Sequence, residues 1–137
     1  MWLMVGVMGV SMGLAACTGN GGSDGDGPTT PAERPSSPAS LEIVQPEPGE
    51  VVDGGGVEVV VELSGAELID RVTTNIRPDE GHIHLALDGE TVSLLAGLEE
   101  TIRNVEPGTH LLEVEFVAGD HGPFDPRIIE SVTFEVR

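Results

Sequence analysis

The sequence predicts an all-β domain, an antiparallel β-sandwich of about seven strands, behind an N-terminal segment that is not part of the fold. Short runs in which apolar and polar residues alternate recur between residues 41 and 137, and a period of two is that of a half-buried strand. Gly, Pro, Asp and Asn residues separate these runs at close spacing, as they do in sandwiches. No long segment has the apolar period of an amphipathic helix. A small antiparallel barrel is the alternative arrangement of the same strands.

The first 40 residues are predicted to serve export and tethering. Residues 1–16 carry no charged side chain and end in the sequence Leu-Ala-Ala, directly before the only cysteine of the chain, Cys17. This order is that of a bacterial lipoprotein signal peptide, whose cleavage frees the cysteine for lipid attachment. Residues 17–40 consist mainly of Gly, Pro, Ser and Thr, which cannot bury apolar surface. We therefore expect a signal peptide, a lipidated Cys17 followed by a flexible linker, and one domain over residues 41–137.

The first half of the domain contains two clear strands and one undecided segment. Residues 41–45 form the first predicted strand, which ends at the turn sequence Pro-Glu-Pro-Gly. Residues 57–63 alternate most clearly, with apolar side chains inward and Glu58 and Glu62 outward. Residues 64–80 form either a short strand or an irregular crossing segment.

A strand that contains two histidines follows at residues 81–87. Three apolar residues alternate there and face the core, which leaves His82 and His84 together on the opposite face. The Asp-Gly sequence that comes next is typical of a tight hairpin turn. Residues 91–95 are therefore predicted to pair back with the histidine strand.

The C-terminal part is predicted to supply three further strands. Residues 101–105 form the first, and the Pro-Gly sequence after it has the residue order of a type II turn. Residues 110–117 form the second, in which His110 lies on the core side, at the rim. After a loop over residues 119–126, the last strand runs from residue 128 to residue 137 and faces the core with Val132, Phe134 and Val136.

The four histidines predict a metal site. Two imidazoles at positions i and i+2 of a strand lie close enough to bind one ion, and neutral imidazole suits Zn(II), Cu(II) or Ni(II). We expect such a site to combine His82 and His84 with His110 or His121, and to use Asp120 as an oxygen ligand or an orienting group. A Cu(I) site with sulfur ligands is excluded, because the cysteine carries the lipid and every methionine precedes it. The alternative interpretation is structural, since histidines at strand ends also hydrogen-bond to carbonyls and carboxylates.

The domain is strongly acidic. From residue 41 onward it contains 21 Asp or Glu residues against five Arg and no Lys. A surface of that charge repels phosphate backbones, so we expect no nucleic-acid partner. The partners that remain are the membrane, reached through the lipid anchor, and a protein of the cell envelope.

Four motifs resemble those of a family of bacterial lipoproteins of uncharacterised function. They are Gly-His-Ile-His at residues 81–84, Asp-Gly at 88–89, Pro-Gly-Thr-His at 107–110 and Asp-His at 120–121. The resemblance implies an immunoglobulin-like sandwich in a cell-surface context and carries no established activity. The His-x-His pair, with Glu90 and a later histidine, is also similar to the metal motif of cupins, which implies a small cupin-like barrel as the alternative fold.

The sequence contains no nucleophile elbow and no phosphate-binding glycine loop, so we expect no enzymatic activity. The function that these observations predict is that of a membrane-anchored, extracytoplasmic lipoprotein whose monomeric domain serves as a binding or structural module of the cell envelope. The alternatives are a protein that binds Zn or Cu(II) through the histidine cluster and a cupin-like metalloenzyme.

Overall fold

A computed structural model describes residues 33–95 and 97–137 of the chain. This part contains nine strands and no helix. The strands are β1 (Ser40–Gln45), β2 (Val51–Val52), β3 (Gly56–Ser64), β4 (Glu67–Leu68), β5 (Glu80–Leu87), β6 (Glu90–Leu95), β7 (Glu99–Arg103), β8 (Gly108–Ala118) and β9 (Pro123–Val136). The predicted signal peptide and the lipidation site at Cys17 lie outside the described residues.

The strands form two sheets that pack face to face. The smaller sheet has the order β1-β3-β7, and the larger has the order β2-β9-β8-β5, with β4 and β6 both paired to the free side of β5. Seven of the nine strands have five or more residues, whereas β2 and β4 have two each. The predicted antiparallel sandwich of about seven strands is therefore confirmed, and the cupin-like barrel is not the arrangement observed.

The core lies between the sheets and follows the alternation of the sequence. The inward residues of β3, β8 and β9 are almost completely buried. They are Val57, Val59, Val61, Leu112, Val114, Phe116, Val132, Phe134 and Val136. Glu58 and Glu62 of β3 face solvent. Side chains of both sheets contribute to one continuous cluster, so the fold rests on a single core.

The hairpin between β5 and β6 is formed as the sequence predicts. Asp88 has a φ angle of 53° and Gly89 one of 84°, and two successive positive φ angles are those of a type I′ turn. The turn brings β6 back alongside β5, with Leu87 paired to Glu90.

Three local features differ from the sequence prediction. The last strand begins at Pro123 instead of residue 128, because Phe124 is 1% exposed and packs against the ring of Phe116 at 5.5 Å. The strand predicted at residues 101–105 begins and ends two residues earlier and pairs with β3. Gly108, with a φ angle of 147°, already pairs with Val136 and is the first residue of β8 instead of a turn residue.

The segment between β3 and β5, which the sequence leaves undecided, is a crossing segment with one short strand. Its strand β4 runs parallel to the start of β5, with Glu67 opposite Glu80 and Leu68 opposite Gly81. Ile69, the residue after it, is buried.

Residues 33–39, which belong to the predicted linker, lie against the sandwich. The backbone N–H of Asp125 donates to the carbonyl of Pro35 at 3.0 Å, and the carbonyl of Pro38 lies against Gly65. In the part of the chain that the structure describes, no helix has the length and hydropathy needed to cross a membrane.

Candidate functional site

Three of the four histidines meet on the outer face of the larger sheet. His82 and His84 project from β5, and His121 lies in the loop between β8 and β9. The rings of His82 and His121 are stacked, with centroids 4.2 Å apart and planes within 4°. The ring of His84 lies 5.2 Å from that of His121, and its Nε2 atom is 2.9 Å from Nδ1 of His121. We call these three residues the histidine cluster.

The position of His121 is set by a tight loop. His121 has a φ angle of 62°, a left-handed conformation in which histidine is enriched among non-glycine residues. Its N–H donates to the carbonyl of Ala118 at 2.8 Å, and the N–H of Ala118 donates to the carbonyl of Gly122 at 2.9 Å. These bonds fold the loop back over the start of β5, which places the imidazole of His121 on that of His82.

His82 is buried although it lies on the outward face of its strand. Only 6% of its surface is exposed, and its Nε2 atom is buried without a hydrogen-bond partner in the described part of the protein. Leaving a buried polar atom unpaired costs about 1–3 kcal/mol. The unpaired nitrogen of His82 therefore destabilises the cluster locally. The packing of the buried ring, which includes its stack on His121, offsets this cost.

Arg34 fastens the N-terminal segment to the loop of His121. Its guanidinium makes two bonds to the carboxylate of Asp120, at 2.7 and 2.9 Å, and a third to the carbonyl of Pro123 at 2.6 Å. The hydrogen bonds from Arg34 are the main reason that the pKa of Asp120 is lowered to about 2. Asp120 is therefore a carboxylate that is already paired, and it acts on the cluster by fixing the loop that carries His121.

His110 lies apart from the cluster. Its Nδ1 atom is 2.7 Å from Oδ2 of Asp88 and its Nε2 atom is 2.7 Å from the carbonyl of Glu106. These two hydrogen bonds, the bond to Asp88 first, raise the pKa of His110. Asp88 follows the end of β5 whereas His82 stands at its start, a separation of about 20 Å along the strand. Of the four histidines that the sequence proposes as metal ligands, the structure brings together three.

The surface beside His84 is open and charged. Glu115 lies directly opposite His84 in the pairing of β5 with β8, and Arg127 makes two bonds of 2.7 Å to its carboxylate. Together with Glu113 these residues line a cavity of about 260 Å³. The pKa of His84 is lowered, first by its burial and then by the charge of His121, against the opposing effect of Glu115. These surroundings therefore favour the neutral form of the His84 imidazole, and the cavity leaves it reachable from solvent.

The ring geometry limits how the cluster can bind an ion. A metal lies in the plane of each imidazole that binds it, and the parallel planes of His82 and His121 do not meet. Among residues 33–95 and 97–137, no three His, Cys, Asp or Glu side chains converge on one point that could hold an ion. The only imidazole nitrogens that face each other within the cluster as described are those of His84 and His121.

Arg34 is the residue that the sequence prediction missed. It is the only basic residue among the first 40, within a segment otherwise typical of a flexible linker. A lone arginine in such a segment, together with an Asp-His pair in a later loop, is the signal from which this contact could have been suspected.

Comparison with known proteins bears on the fold. No protein-family model matches the sequence, and no curated protein matches it. Among solved structures, the chain is similar to the fibronectin(III)-like modules of CbhA from Clostridium thermocellum, with 15% identity and a TM-score of 0.50 over 70% of this chain and 93% of that chain. This likeness confirms the immunoglobulin-like β-sandwich.

Two further similarities involve much longer proteins. An engineered protein has 11% identity and a TM-score of 0.46, over 72% of this chain and 20% of that one. A quinonprotein alcohol dehydrogenase-like protein from Bacteroides thetaiotaomicron has 14% identity and a TM-score of 0.44, over 71% and 20% respectively. This chain therefore matches about a fifth of the length of either protein.

Proposed function

We propose that this chain is a lipid-anchored module on the extracytoplasmic side of a bacterial membrane, where its sandwich domain serves in binding or in the organisation of the cell envelope. The observation that carries the proposal is the order of three parts along the chain. A Leu-Ala-Ala-Cys sequence ends the apolar N-terminal segment, a Gly- and Pro-rich segment follows, and an immunoglobulin-like sandwich comes next.

The sandwich suits this role because it is a complete unit. It covers 93% of a fibronectin(III)-like module, and its core joins residues of both sheets. A unit of that kind needs no neighbouring domain in order to fold, so it can be displayed at the end of a tether.

A lipid at Cys17 would hold the chain firmly. Lipoprotein processing attaches more than one acyl chain, and two chains give stable anchoring where a single chain is only marginal. Sixteen residues separate Cys17 from Arg34, which contacts the domain through Asp120. A flexible tether of that length has a root-mean-square span of about 20–24 Å, so the domain would stay close to the membrane surface.

The proposal is tested by expressing the full chain in a bacterial host, with and without Cys17→Ser. We expect the wild-type protein in the membrane fraction, released by detergent but not by high salt, with a mass increase on Cys17 that corresponds to lipid. The Cys17→Ser protein should lose the lipid mass and leave the membrane fraction after salt washing. A matched control is Ser23→Ala in the predicted tether, which should change neither result.

Two outcomes would contradict the proposal. One is an unmodified Cys17 in wild-type protein recovered from the soluble cytoplasmic fraction. The other is protease protection of the sandwich in cells whose outer layers have been opened, which would place the domain inside the cell.

A further inference from the structure

His84 and His121 hold two imidazole nitrogens next to each other. Nε2 of His84 and Nδ1 of His121 are 2.9 Å apart. The rings meet end to end, with centroids 5.2 Å apart, so the two nitrogens share one proton in a hydrogen bond. An ion that displaces this proton would find two imidazole donors side by side, and among divalent first-row metals such nitrogen ligands bind Cu(II) most tightly.

The surroundings of the pair are open to solvent and acidic. The neighbouring cavity gives His84 access to solvent and places the carboxylates of Glu113 and Glu115 beside it. The formal charge of the whole chain is −18, which favours the approach of a cation.

His82 acts on the pair through its ring. Its imidazole stacks on that of His121 at 4.2 Å, so it packs against one face of the second ligand. Because the two planes are parallel, His82 does not share an ion with His121 in this arrangement. His82 is therefore a positioning residue, one whose ring matters more than its nitrogens.

We propose that His84 and His121 together bind one Cu(II) ion, with the remaining coordination positions open to solvent or to a donor from a partner. Each ring turns toward the ion from the hydrogen bond that now joins the two nitrogens. The proton of that hydrogen bond moves to the other nitrogen of the ring that carries it, so both rings bind as neutral imidazoles. This inference is independent of the lipid anchor.

The test uses the full chain with Cys17→Ser, which removes the only thiol; the four methionines all lie in the first 12 residues, outside the domain. The metal-free protein is titrated with Cu(II), Ni(II) and Zn(II) salts by calorimetry, and the copper form is examined by electron paramagnetic resonance. We expect one equivalent of Cu(II), and a tetragonal copper signal with splitting from two nitrogens. His84→Ala and His121→Ala should each weaken binding at least tenfold.

Two variants serve as controls. His110→Ala removes a histidine outside the cluster and should leave binding unchanged. His82→Phe keeps an aromatic ring in the stack but removes its nitrogens, and it should bind copper within about threefold of the parent protein. Far-ultraviolet circular dichroism and thermal unfolding establish that each variant remains folded.

Three results would overturn the proposal. Equal copper binding by the His84→Ala, His121→Ala and parent proteins would show that the ion binds elsewhere. A copper signal with fewer than two nitrogens would exclude the pair as joint ligands. Loss of binding in a folded His82→Phe protein would mean that His82 is itself a ligand and that the two-ligand geometry is wrong.

Discussion

His110 has an acceptor at each of its two ring nitrogens. Oδ2 of Asp88 lies 2.7 Å from Nδ1 and the carbonyl oxygen of Glu106 lies 2.7 Å from Nε2. Only the charged imidazole can donate from both nitrogens at once, so the surroundings favour protonation and raise the pKa of His110. The pKa of Asp88 is lowered, first by the N–H of Leu111 and then by His110. The pair therefore joins the end of β5 to the start of β8 through a charge-assisted bond.

This pair predicts a pH dependence of stability. A raised histidine pKa contributes stability that is complete below the ordinary value of about 6.5 and is lost as the pH rises through the raised value. The lowered pKa of Asp88 contributes stability above its ordinary value of about 3.9, which is lost as the pH falls through the lowered value. The pair should therefore contribute fully near pH 5 and less at pH 8.

Asp88→Asn isolates this contribution, because asparagine tolerates the left-handed conformation of the turn and still accepts from Leu111. Urea unfolding of both proteins should show that the variant is less stable than wild type at pH 5, by no more than about 1 kcal/mol for a partly exposed pair. The difference should shrink at pH 8. Equal differences at the two pH values would contradict the assignment.

The histidine cluster shows which parts of a site a sequence can predict. His82 and His84 share a face because a strand has a period of two, and the sequence contains that information locally. The approach of His121 depends on a left-handed turn 37 residues beyond His84. The contact of Arg34 with Asp120 spans 86 residues and arises in a segment whose composition predicts no contact at all. The packing of loops brings these residues together, and the periodicity of the sequence contains no information about that packing.

At the level of strands, the alternation of apolar residues predicted β1, β3, β5 and the inward faces of β8 and β9. It did not predict the start of β9. Phe124 lies between two prolines, a sequence typical of a loop, and its burial depends on packing against the distant Phe116. Nor did it predict β2 and β4, since two-residue strands are too short to show a period. Strand prediction therefore fails where pairing is decided by distant neighbours.

The pairing of β5 with β8 depends on a glycine. A Cβ atom at Gly81 would meet the carbonyl oxygen of Val117 and would lie 2.8 Å from the ring of Phe116. Neither the backbone nor a fully buried ring can move aside cheaply. The start of β5 therefore lies tight against β8, and any side chain at position 81 would separate the two strands.

Gly81→Ala should accordingly destabilise the domain by about 1–3 kcal/mol, the usual cost of overpacking. Gly97→Ala is a matched control, because nothing lies within 4 Å of the position of its Cβ atom, and surface substitutions usually stay within about 0.5 kcal/mol. Midpoints of urea unfolding measure both. Equal midpoints for the two variants would show that β5 and β8 have more room than the structure gives them.

For the molecule as a whole, the acidic composition acts against the compact state. Twenty-four Asp and Glu residues face six Arg and Lys residues in the full chain, and the exposed Glu42 and Glu62 lie directly opposite each other in the pairing of β1 with β3. Like charges in that position are destabilising, by about 0.2–1 kcal/mol. Salt screens such repulsion between exposed groups over about 10 Å at 0.1 M.

We therefore expect the melting temperature of the domain to rise between 10 mM and 500 mM NaCl. Glu62→Lys should raise the melting temperature at low salt and make it less dependent on NaCl concentration, because an attraction to Glu42 replaces the repulsion. A stabilisation of about 1 kcal/mol corresponds to a rise of roughly 4–8 °C in a domain of this size. Glu58→Lys changes the net charge equally, but its direct cross-strand partner is the uncharged Thr101. An equal rise in melting temperature for both variants would mean that net charge alone governs the effect. A larger rise for Glu62→Lys would locate part of the repulsion in the pair of Glu42 and Glu62. That repulsion could then be relieved without altering the sheet face that carries the histidine cluster.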